Sequence, residues 1–391
     1  MDIFEKAFAE NKYDVIQRQG IYPYFHKLLT GQDTEVVMDG IDTVMIGSNN
    51  YLGLTSHPEV IDAGIKALEK YGSGCSGSRF LNGTLDIHVE LEEKLASFLK
   101  KEAVTTFSTG FQSNLGIISA IAGPHDYILC DKENHASIYD GCRLSFAKTW
   151  KFNHSDMNDL EEKLKSVPSG HGKLIVTDGV FSMSGEICKL PDIVTLAKRY
   201  GARIMVDDAH GLGVLGSHGR GTAEYFGLEN EVDIYMGTFS KSLASIGGYM
   251  AAPKKVIEYV KHTSRPYIFS ASLTPASVAC ALQALKILER EPQRVKALSD
   301  IADYMRSLLK KYNIDIIESK TPIIPVYTYD DERTFIACKM LLERGVYVNP
   351  VISPATPVGK ALLRTSYTAT HTKEQLEKAA KEIKNVLTVL E

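Results

Sequence analysis

The chain has 391 residues, enough for a large hydrophobic core and two or three domains or lobes. Its formal net charge of −4 excludes the basic footprint of a nucleic-acid-binding protein, and its 44% hydrophobic content is that of an ordinary globular protein. Six widely spaced cysteines without a C-x-x-C pair argue against a zinc site and predict a reduced, cytoplasmic setting. The N-terminal residues lack a signal-peptide pattern, and no apolar run approaches the ~20 residues of a membrane helix.

The chain begins with a predicted N-terminal arm, residues 1–45, in which an amphipathic helix precedes a hairpin that turns at Asp39-Gly40. From residue 46, short apolar runs alternate with helical stretches. The runs are AVTTFS, YILC, KLIVTD, RIMVDD, DIYMGT and GYMAA. This alternation predicts an α/β large domain at 46–275, with a mainly parallel sheet and helices on both faces. After Pro275, long helices and short strand segments predict a smaller α+β C-terminal domain at 276–391.

A glycine-rich segment early in the large domain, GSGCSGSRFLNGT, contains the G-x-G-x-x-G of dinucleotide-binding loops at Gly72, Gly74 and Gly77. That fingerprint requires a strand before the glycines and a helix after them. The preceding segment instead has apolar residues at helical spacing: Val60, Ile61, Ile65 and Leu68. The following segment, DIHVELEEKLASFLKKE, predicts another helix. The glycines therefore join two helices, and we do not expect NAD to bind.

Three of the predicted strands end in polar side chains, and ligands bind at the carboxyl ends of parallel strands. The three groups are Asp178, Ser182 and Ser184; Asp207, Asp208 and His210; and Thr238, Ser240 and Lys241. The stretch VDDAH also matches half of a metal site, but no second cluster has ligand spacing, so no metal is expected.

Lys241 follows a buried strand among small hydroxyl residues, in TFSKS. An arbitrary lysine in a loop is most often a solvated surface residue. A lysine can also form a Schiff base with a carbonyl, as it does with pyridoxal phosphate (PLP), whose pyridine nitrogen needs an acidic partner. Asp207 can supply that carboxylate from another strand end, and Thr238 and Ser240 can donate hydrogen bonds to the phosphate. This pattern favours a PLP site.

A set of motifs along nearly the whole chain resembles the α-oxoamine synthases, PLP enzymes that condense an amino acid with an acyl-CoA and release CO2. The motifs are NNYLGLTSHP, GSRFLNGT, STGFQSN, NHAS, VFSMSGEI, VDDAHGLGVLG, TFSKS and LRTSYTATHT. The resemblance implies a PLP-dependent aminotransferase-like large domain. GSRFLNGT and TFSKS are most similar to the serine palmitoyltransferase branch, which implies that L-serine and palmitoyl-CoA give 3-ketosphinganine, CoA and CO2. Glycine C-acetyltransferase and 8-amino-7-oxononanoate synthase remain alternatives, and a PLP aminotransferase is a remote one.

The same resemblance implies roles for individual residues around the cofactor. Lys241 would hold PLP and move the Cα proton of the substrate, and Asp207 would pair with the pyridinium. His135 would stack on the ring, although a histidine there could also be a core residue. The other implied cofactor contacts are His210 and Ser182 at the phenolic oxygen, and Gly110, Phe111, Thr238 and Ser240 at the phosphate.

Further positions are implied to contact the substrates or a neighbouring subunit. Arg364, with Asn49 nearby, would bind the substrate carboxylate, although Arg364 could also be a structural ion-pair partner. Arg79 and Asn82 are candidates for substrate contact. Ser272 and Thr274 would reach the phosphate of the other subunit, which implies a homodimer with shared active sites. A lipid product makes peripheral membrane contact plausible.

Overall fold

The structure is a computed structural model that describes residues 2–390. The helices are α1 (Glu5–Phe8), α2 (Lys12–Arg18), α3 (Pro58–Tyr71), α4 (Asp86–Leu99), α5 (Gly110–Ile121), α6 (Ala136–Ser145), α7 (Met157–Ser166), α8 (Leu190–Tyr200), α9 (Thr222–Phe226), α10 (Lys254–Thr263), α11 (Arg265–Ile268), α12 (Pro275–Arg290), α13 (Gln293–Lys311), α14 (Asp331–Glu343) and α15 (Lys373–Val389). The strands are β1 (Glu35–Met38), β2 (Ile41–Met45), β3 (Ala103–Phe107), β4 (Tyr127–Asp131), β5 (Lys148–Phe152), β6 (Lys173–Asp178), β7 (Arg203–Asp207), β8 (Ile234–Thr238), β9 (Gly248–Ala252), β10 (Ile323–Tyr329), β11 (Val346–Tyr347), β12 (Asn349–Val351) and β13 (Ala361–Ser366).

A seven-stranded sheet, in the order β3-β9-β8-β7-β6-β4-β5, forms the centre of the molecule. Strand β9 runs antiparallel to both of its neighbours, and the other pairs are parallel. Each of the six apolar runs identified in the sequence forms a strand of this sheet, which confirms the predicted α/β class with a mainly parallel sheet. These strands are mostly apolar because both of their faces are buried.

Side chains along the central strands alternate between two hydrophobic cores. On β7, for example, Val206 packs in a core with residues of α3, α4, α7, α8 and α12, whereas Met205 packs in one with residues of α5, α6, α10 and α11. Helices therefore cover both faces of the sheet, as the sequence predicts.

The C-terminal region forms a third core around the antiparallel sheet β10-β13-β12. The N-terminal hairpin turns at Asp39 and Gly40 as predicted, and Val44 on β2 pairs in parallel with Val346 on β11. The hairpin is thus continuous with the C-terminal region, while α12 packs on α3 and α4 against the central sheet. The division into residues 1–45, 46–275 and 276–391 stays a prediction.

The glycine-rich segment joins α3, which ends at Tyr71, to α4, which begins at Asp86. The predicted helix-to-helix loop is therefore confirmed. Along residues 2–390, no helix is long and apolar enough to cross a membrane.

The strands that matter most for function end at one edge of the central sheet. Asp178 at the end of β6 lies in register with Asp207 at the end of β7, and Thr238 ends β8. This edge is where the polar side chains predicted from the sequence come together.

Candidate active site

A cavity of about 300 Å³ opens at the carboxyl edge of the central sheet. Among the residues that line it are most of the predicted cofactor contacts: Gly110, Phe111, His135, Ser182, Asp207, His210, Thr238, Ser240 and Lys241. A larger cleft of about 980 Å³, between α13 and the loop before α9, is lined by different residues. The structure thus gathers the chemically active residues in the smaller cavity.

Lys241 lies just beyond β8 and faces this cavity. Burial lowers the pKa of Lys241 to about 8, and the positive charge of Arg364 acts in the same direction. The negative charge of Asp207 opposes the shift. A substantial share of the amine is therefore neutral at mildly alkaline pH, which is the form that attacks a carbonyl.

Asp207 is held by two hydrogen-bond donors on the floor of the cavity, where it is only 5% exposed. Asn114 Nδ2 donates to Oδ2 at 2.7 Å, and the backbone N–H of Ala209 donates to Oδ1 at 3.0 Å. Donors to both oxygens favour the ionised form of a buried carboxyl group. Asp207 can therefore present a negative charge to a protonated ring nitrogen.

His210 is linked to Arg364 by a chain of polar contacts. Its Nδ1 lies 2.7 Å from the Tyr51 hydroxyl, and that hydroxyl lies 3.3 Å from Asn49 Oδ1. Arg364 Nη2 donates to the same Asn49 oxygen at 3.0 Å, and its Nε donates to the Ser182 carbonyl at 2.6 Å. Burial holds the pKa of His210 well below its usual value, so the imidazole is neutral. When Nδ1 accepts the Tyr51 hydroxyl, Nε2–H can donate to an oxygen of a ligand.

His135 caps the N-terminus of α6 and faces the same cavity. Its Nδ1 lies 2.7 Å from the Ser137 hydroxyl, and its ring makes an edge contact with Phe111. Burial lowers the pKa of His135, which favours the neutral ring. A neutral aromatic ring can lie against a planar cofactor, and the stacking role stays a prediction.

The opposite end of the cavity suits a phosphate. Helix α5 begins at Gly110, and its N-cap Thr109 accepts the N–H of Gln112 through Oγ1 at 3.1 Å. The backbone N–H groups of Gly110 and Phe111 are left to bind an anion. Thr238 Oγ1 lies 2.9 Å from Ser240 Oγ. A Cβ atom on Gly110 would lie 2.8 Å from Thr238 Oγ1, so this close approach requires a glycine.

The donor set of the cavity matches what PLP requires. Lys241 can form the covalent bond, Asp207 can pair with the pyridinium, and the N-terminus of α5 can bind the phosphate. Buried oxygens on Asp178 and Asn114 also lack hydrogen-bond partners among residues 2–390. These features fit a polar cofactor at this place.

The structure does not bring Arg79 and Asn82 to this cavity. Arg79 donates from Nη1 and Nη2 to the two oxygens of Glu92, at 2.7 and 3.0 Å, and its side chain is 7% exposed. Asn82 Nδ2 instead contacts the carbonyls of Cys75 and Ser76. Their suggested contact with substrate stays a prediction, and within one chain Arg79 is a buried ion-pair partner.

Ser272 and Thr274 also lie outside the cavity. Ser272 Oγ donates to the Gly77 carbonyl at 3.1 Å, which fastens the glycine-rich loop to this segment. Thr274 caps α12 through its hydroxyl. Both residues thus lie beside the glycine-rich loop, and their role toward a second subunit stays a prediction.

Three residues of the site were not assigned from the sequence. Asn114 orients Asp207, Tyr51 joins His210 to Asn49, and Asp178 lines the cavity. Asn114 and Tyr51 both lie within quoted motifs, STGFQSN and NNYLGL. Asp178 is one of the strand-end residues named from the sequence, and its position at the end of a strand is the feature that indicates a place in the site.

Comparison with known proteins agrees with this geometry. Residues 41–383 match the family model of aminotransferases of class I and II. A serine palmitoyltransferase of Sphingobacterium spiritivorum is 52% identical over 98% of this chain and 96% of its own length. An 8-amino-7-oxononanoate synthase of Thermosipho melanesiensis is 45% identical over 98% of both chains. A solved structure of "SPT with PLP internal aldimine" superimposes with a TM-score of 0.96 at 37% identity, covering 100% of this chain and 99% of the other.

Proposed function

Because the chain belongs to the class I and II aminotransferase family and, within it, to the PLP-dependent α-oxoamine synthases, we propose that it condenses L-serine with palmitoyl-CoA. The products are 3-ketosphinganine, CoA and CO2. The observation that supports this choice of substrates is the 52% identity to a serine palmitoyltransferase over nearly the full length of both chains.

A second candidate is the 8-amino-7-oxononanoate synthase reaction, supported by a relative at 45% identity. It differs in the amino acid and in the acyl group and uses the same kind of site. Glycine with acetyl-CoA is the remaining alternative within the family. An aminotransferase reaction, which transfers the amino group and needs no acyl-CoA, is the alternative outside the α-oxoamine synthases.

PLP, bound in the cavity, supplies an electron sink that stabilises negative charge at the substrate Cα. Lys241 Nζ would hold PLP covalently and, once the amino group of serine has displaced it, the free amine would move the proton at that carbon. Asp207 keeps the ring nitrogen protonated through its negative charge. His210 and Ser182 orient the phenolic oxygen, and the first turn of α5 binds the phosphate.

Arg364 binds the carboxylate of serine, with Asn49 holding the guanidinium in place. The planar fork of arginine suits a carboxylate, because two parallel hydrogen bonds fix its orientation. By fixing the carboxylate, Arg364 would determine which bond at the substrate Cα is aligned for cleavage. Arg364 is 5% exposed, so the interaction is made away from bulk water and is correspondingly strong.

The active unit in this proposal is a homodimer in which Ser272 and Thr274 of one chain approach the phosphate bound by the other. All six cysteines are free thiols among the described residues, which suits a protein that acts in the reducing cytoplasm. Contact with a membrane surface, where a lipid product would be released, is part of the same proposal.

The substrate choice is tested with a matrix of L-serine, glycine and L-alanine, each against acetyl-, pimeloyl- and palmitoyl-CoA, with products identified by mass spectrometry. Serine with palmitoyl-CoA should turn over fastest. Faster turnover of alanine with pimeloyl-CoA would indicate the 8-amino-7-oxononanoate synthase reaction instead. Faster turnover of glycine with acetyl-CoA would indicate the glycine C-acetyltransferase reaction instead. The Lys241→Ala protein is the matched control and should give no product in any combination.

A further inference from the structure

Asp178 is a buried carboxyl group that has no role in the proposed reaction. It ends β6, is 4% exposed and lines the same cavity as Lys241. Its Oδ2 accepts the backbone N–H of His135 at 3.1 Å, whereas Oδ1 is buried without a hydrogen-bond partner among the described residues. An ionised oxygen without a donor is costly to bury, so the protonation state of this group needs an explanation.

Asp178 has a second carboxyl group as its neighbour. Strands β6 and β7 are parallel, and Asp178 lies in register with Asp207. Two carboxyl groups side by side away from water do not both ionise readily, because each negative charge disfavours the other. Asp207 has two donors, from Asn114 and Ala209, and Asp178 has one, so the negative charge is better stabilised on Asp207.

The other charged groups around Asp178 do not change which of the two carboxyl groups carries the negative charge. Burial raises the pKa of Asp178 well above its usual value, and the charge of Asp207 on β7 adds to the shift. Asp131, on β4, acts in the same direction. Lys241, beyond β8, and the backbone N–H of His135, before α6, oppose it.

We propose that Asp178 is a positioning residue that works as a neutral carboxylic acid. Its Oδ2 holds the backbone of His135 against the cavity, and the proton on Oδ1 leaves the negative charge of the pair on Asp207. The inference rests on the proposed function, because Asp207 matters as the partner of the pyridinium. For Asp207 to serve as that partner, its register neighbour Asp178 must stay uncharged.

An asparagine at this position imitates the protonated acid. The amide oxygen keeps the acceptor for the His135 N–H, and the NH2 group replaces the O–H donor. Asp178→Asn should therefore be nearly silent, whereas the same change at the neighbouring strand end, Asp207→Asn, removes the charge on which the chemistry depends. This pair of variants has matched chemistry and adjacent positions.

The first test measures unfolding of the full chain without cofactor or substrate. A group with a raised pKa in the fold keeps its proton when the unfolded chain has lost it, so wild-type stability falls as the pH rises above the unfolded value of about 4. Asp178→Asn lacks this titration. Its unfolding equilibrium constant relative to wild type should fall with rising pH, by up to about tenfold per unit from pH ~5 upward until the pKa of the folded state is reached.

A ratio that does not change with pH between about 5 and 8 would show an ionised Asp178 and would overturn the inference. Because this measurement uses no substrate, a wrong assignment of serine or palmitoyl-CoA leaves it unaffected. The two failures are therefore distinguishable.

The second test adds PLP and compares the variants. Asp178→Asn should bind PLP within about threefold of wild type, with the same visible absorption band and turnover of the same order. Asp178→Ala, which loses the hold on His135, should bind PLP about tenfold more weakly. Asp207→Asn should fold normally and lose turnover by orders of magnitude. Loss of turnover of that size in Asp178→Asn would mean that its charge is required, which contradicts the proposal.

Discussion

In the proposed reaction, Lys241 is the residue on which the chemistry depends. Its pKa of about 8, lowered by burial, makes the amine reactive near neutral pH. Lys241→Ala should lose the covalent bond to PLP while the phosphate and ring contacts of the other side chains still bind it reversibly. Borohydride reduction followed by peptide mapping tests this: the wild-type tag should lie on Lys241. A tag on any other lysine contradicts the assignment.

Arg364 should determine the affinity for the amino acid. Removing one partner of a desolvated charge pair costs roughly 2–5 kcal/mol, which is about 30- to 3000-fold in affinity. Arg364→Ala should therefore weaken serine binding by that range, followed as the change in PLP absorbance during a titration, and leave the spectrum without serine unchanged. Arg364→Lys should restore only part of the loss, because an ammonium group cannot form the planar fork.

The matched control is Arg306→Lys, a change at another buried arginine, which contacts the Thr321 carbonyl and Asp303 in the C-terminal region. It should leave the serine titration as in wild type. An unchanged dissociation constant in Arg364→Ala would return Arg364 to a purely structural role.

At the scale of single residues, the strand-end rule predicted Asp207, His210, Thr238 and Lys241, because carboxyl ends of parallel strands meet at one edge. The same rule could not predict the contact of Asn114 with Asp207. Asn114 lies on a helix, and its orientation toward the sheet depends on how α5 packs. Arg79 is predicted as a substrate contact, whereas the structure pairs it with Glu92 on α4. The sequence pattern does not identify that face of α4 as an ion-pair site.

The loop between β6 and α8 is fastened by a charged histidine. His154, beyond β5, lies 2.9 Å from Asp131 Oδ1 and 3.2 Å from Glu186 Oε2, with its ring against Phe181. Burial lowers the pKa of His154, but the hydrogen bonds to Asp131 and Glu186 outweigh it and raise the pKa to about 10. Because this loop carries Ser182, the histidine supports one wall of the active site.

His154→Gln should destabilise the protein in a pH-dependent way. A raised pKa means that the stabilisation is complete below the unfolded value of about 6.5 and is lost as the pH approaches 10. We expect a loss of roughly 1–3 kcal/mol at pH ~6, shrinking toward pH ~10, measured by urea unfolding. His125→Gln, at an exposed position, is the control and should change little at any pH. A loss that stays constant across this range would refute the charged state of His154.

Among the elements, the six apolar strands were predictable, the edge strand β3 included, whereas the other edge strand, β5, was not. The run KLIVTD forms β6 with the predicted bounds because continuous apolar runs with turn signals are typical of central strands. Strand β5, KTWKF, lies at the edge of the sheet, and its exposed lysines hide it from a search for apolar runs. Edge strands pair on one side only and tolerate charge.

Helix α3 shows that a helix can be predicted correctly while its buried face is not. Val60 is buried as its spacing predicts, but Ile61, Ile65 and Leu68 are 45–50% exposed. Small residues face the neighbouring helix instead: a Cβ atom on Gly64 would lie 2.9 Å from Cys280 Sγ on α12. Close helix contacts favour small residues, and a hydrophobic pattern alone does not identify them.

For the whole molecule, the proposed shared active sites predict complementation between two inactive proteins. Thr274→Asp places a negative charge beside the phosphate of the other subunit, and aspartate still caps α12, so the fold should survive. The Thr274→Asp and Lys241→Ala proteins are mixed, dissociated and allowed to reassociate. The hybrid dimers that form should each contain one intact site. With random pairing, half of the dimers are hybrids with one working site of two, so about a quarter of wild-type activity should return.

Thr274→Asn, which caps the helix without adding charge, is the control and should remain active alone. If Thr274→Asp is as active as the wild type, or if the mixture stays inactive, the phosphate is not shared between subunits in this way.

In the proposed reaction, one molecule of L-serine loses its carboxyl group for each palmitoyl group transferred. The most direct measurement follows L-serine labelled at its carboxyl carbon, with palmitoyl-CoA, and quantifies labelled CO2, free CoA and the lipid product together. We expect equal amounts of all three and a 3-ketosphinganine without label. Label retained in an acylated product, or loss of the amino group without release of CoA, would contradict it.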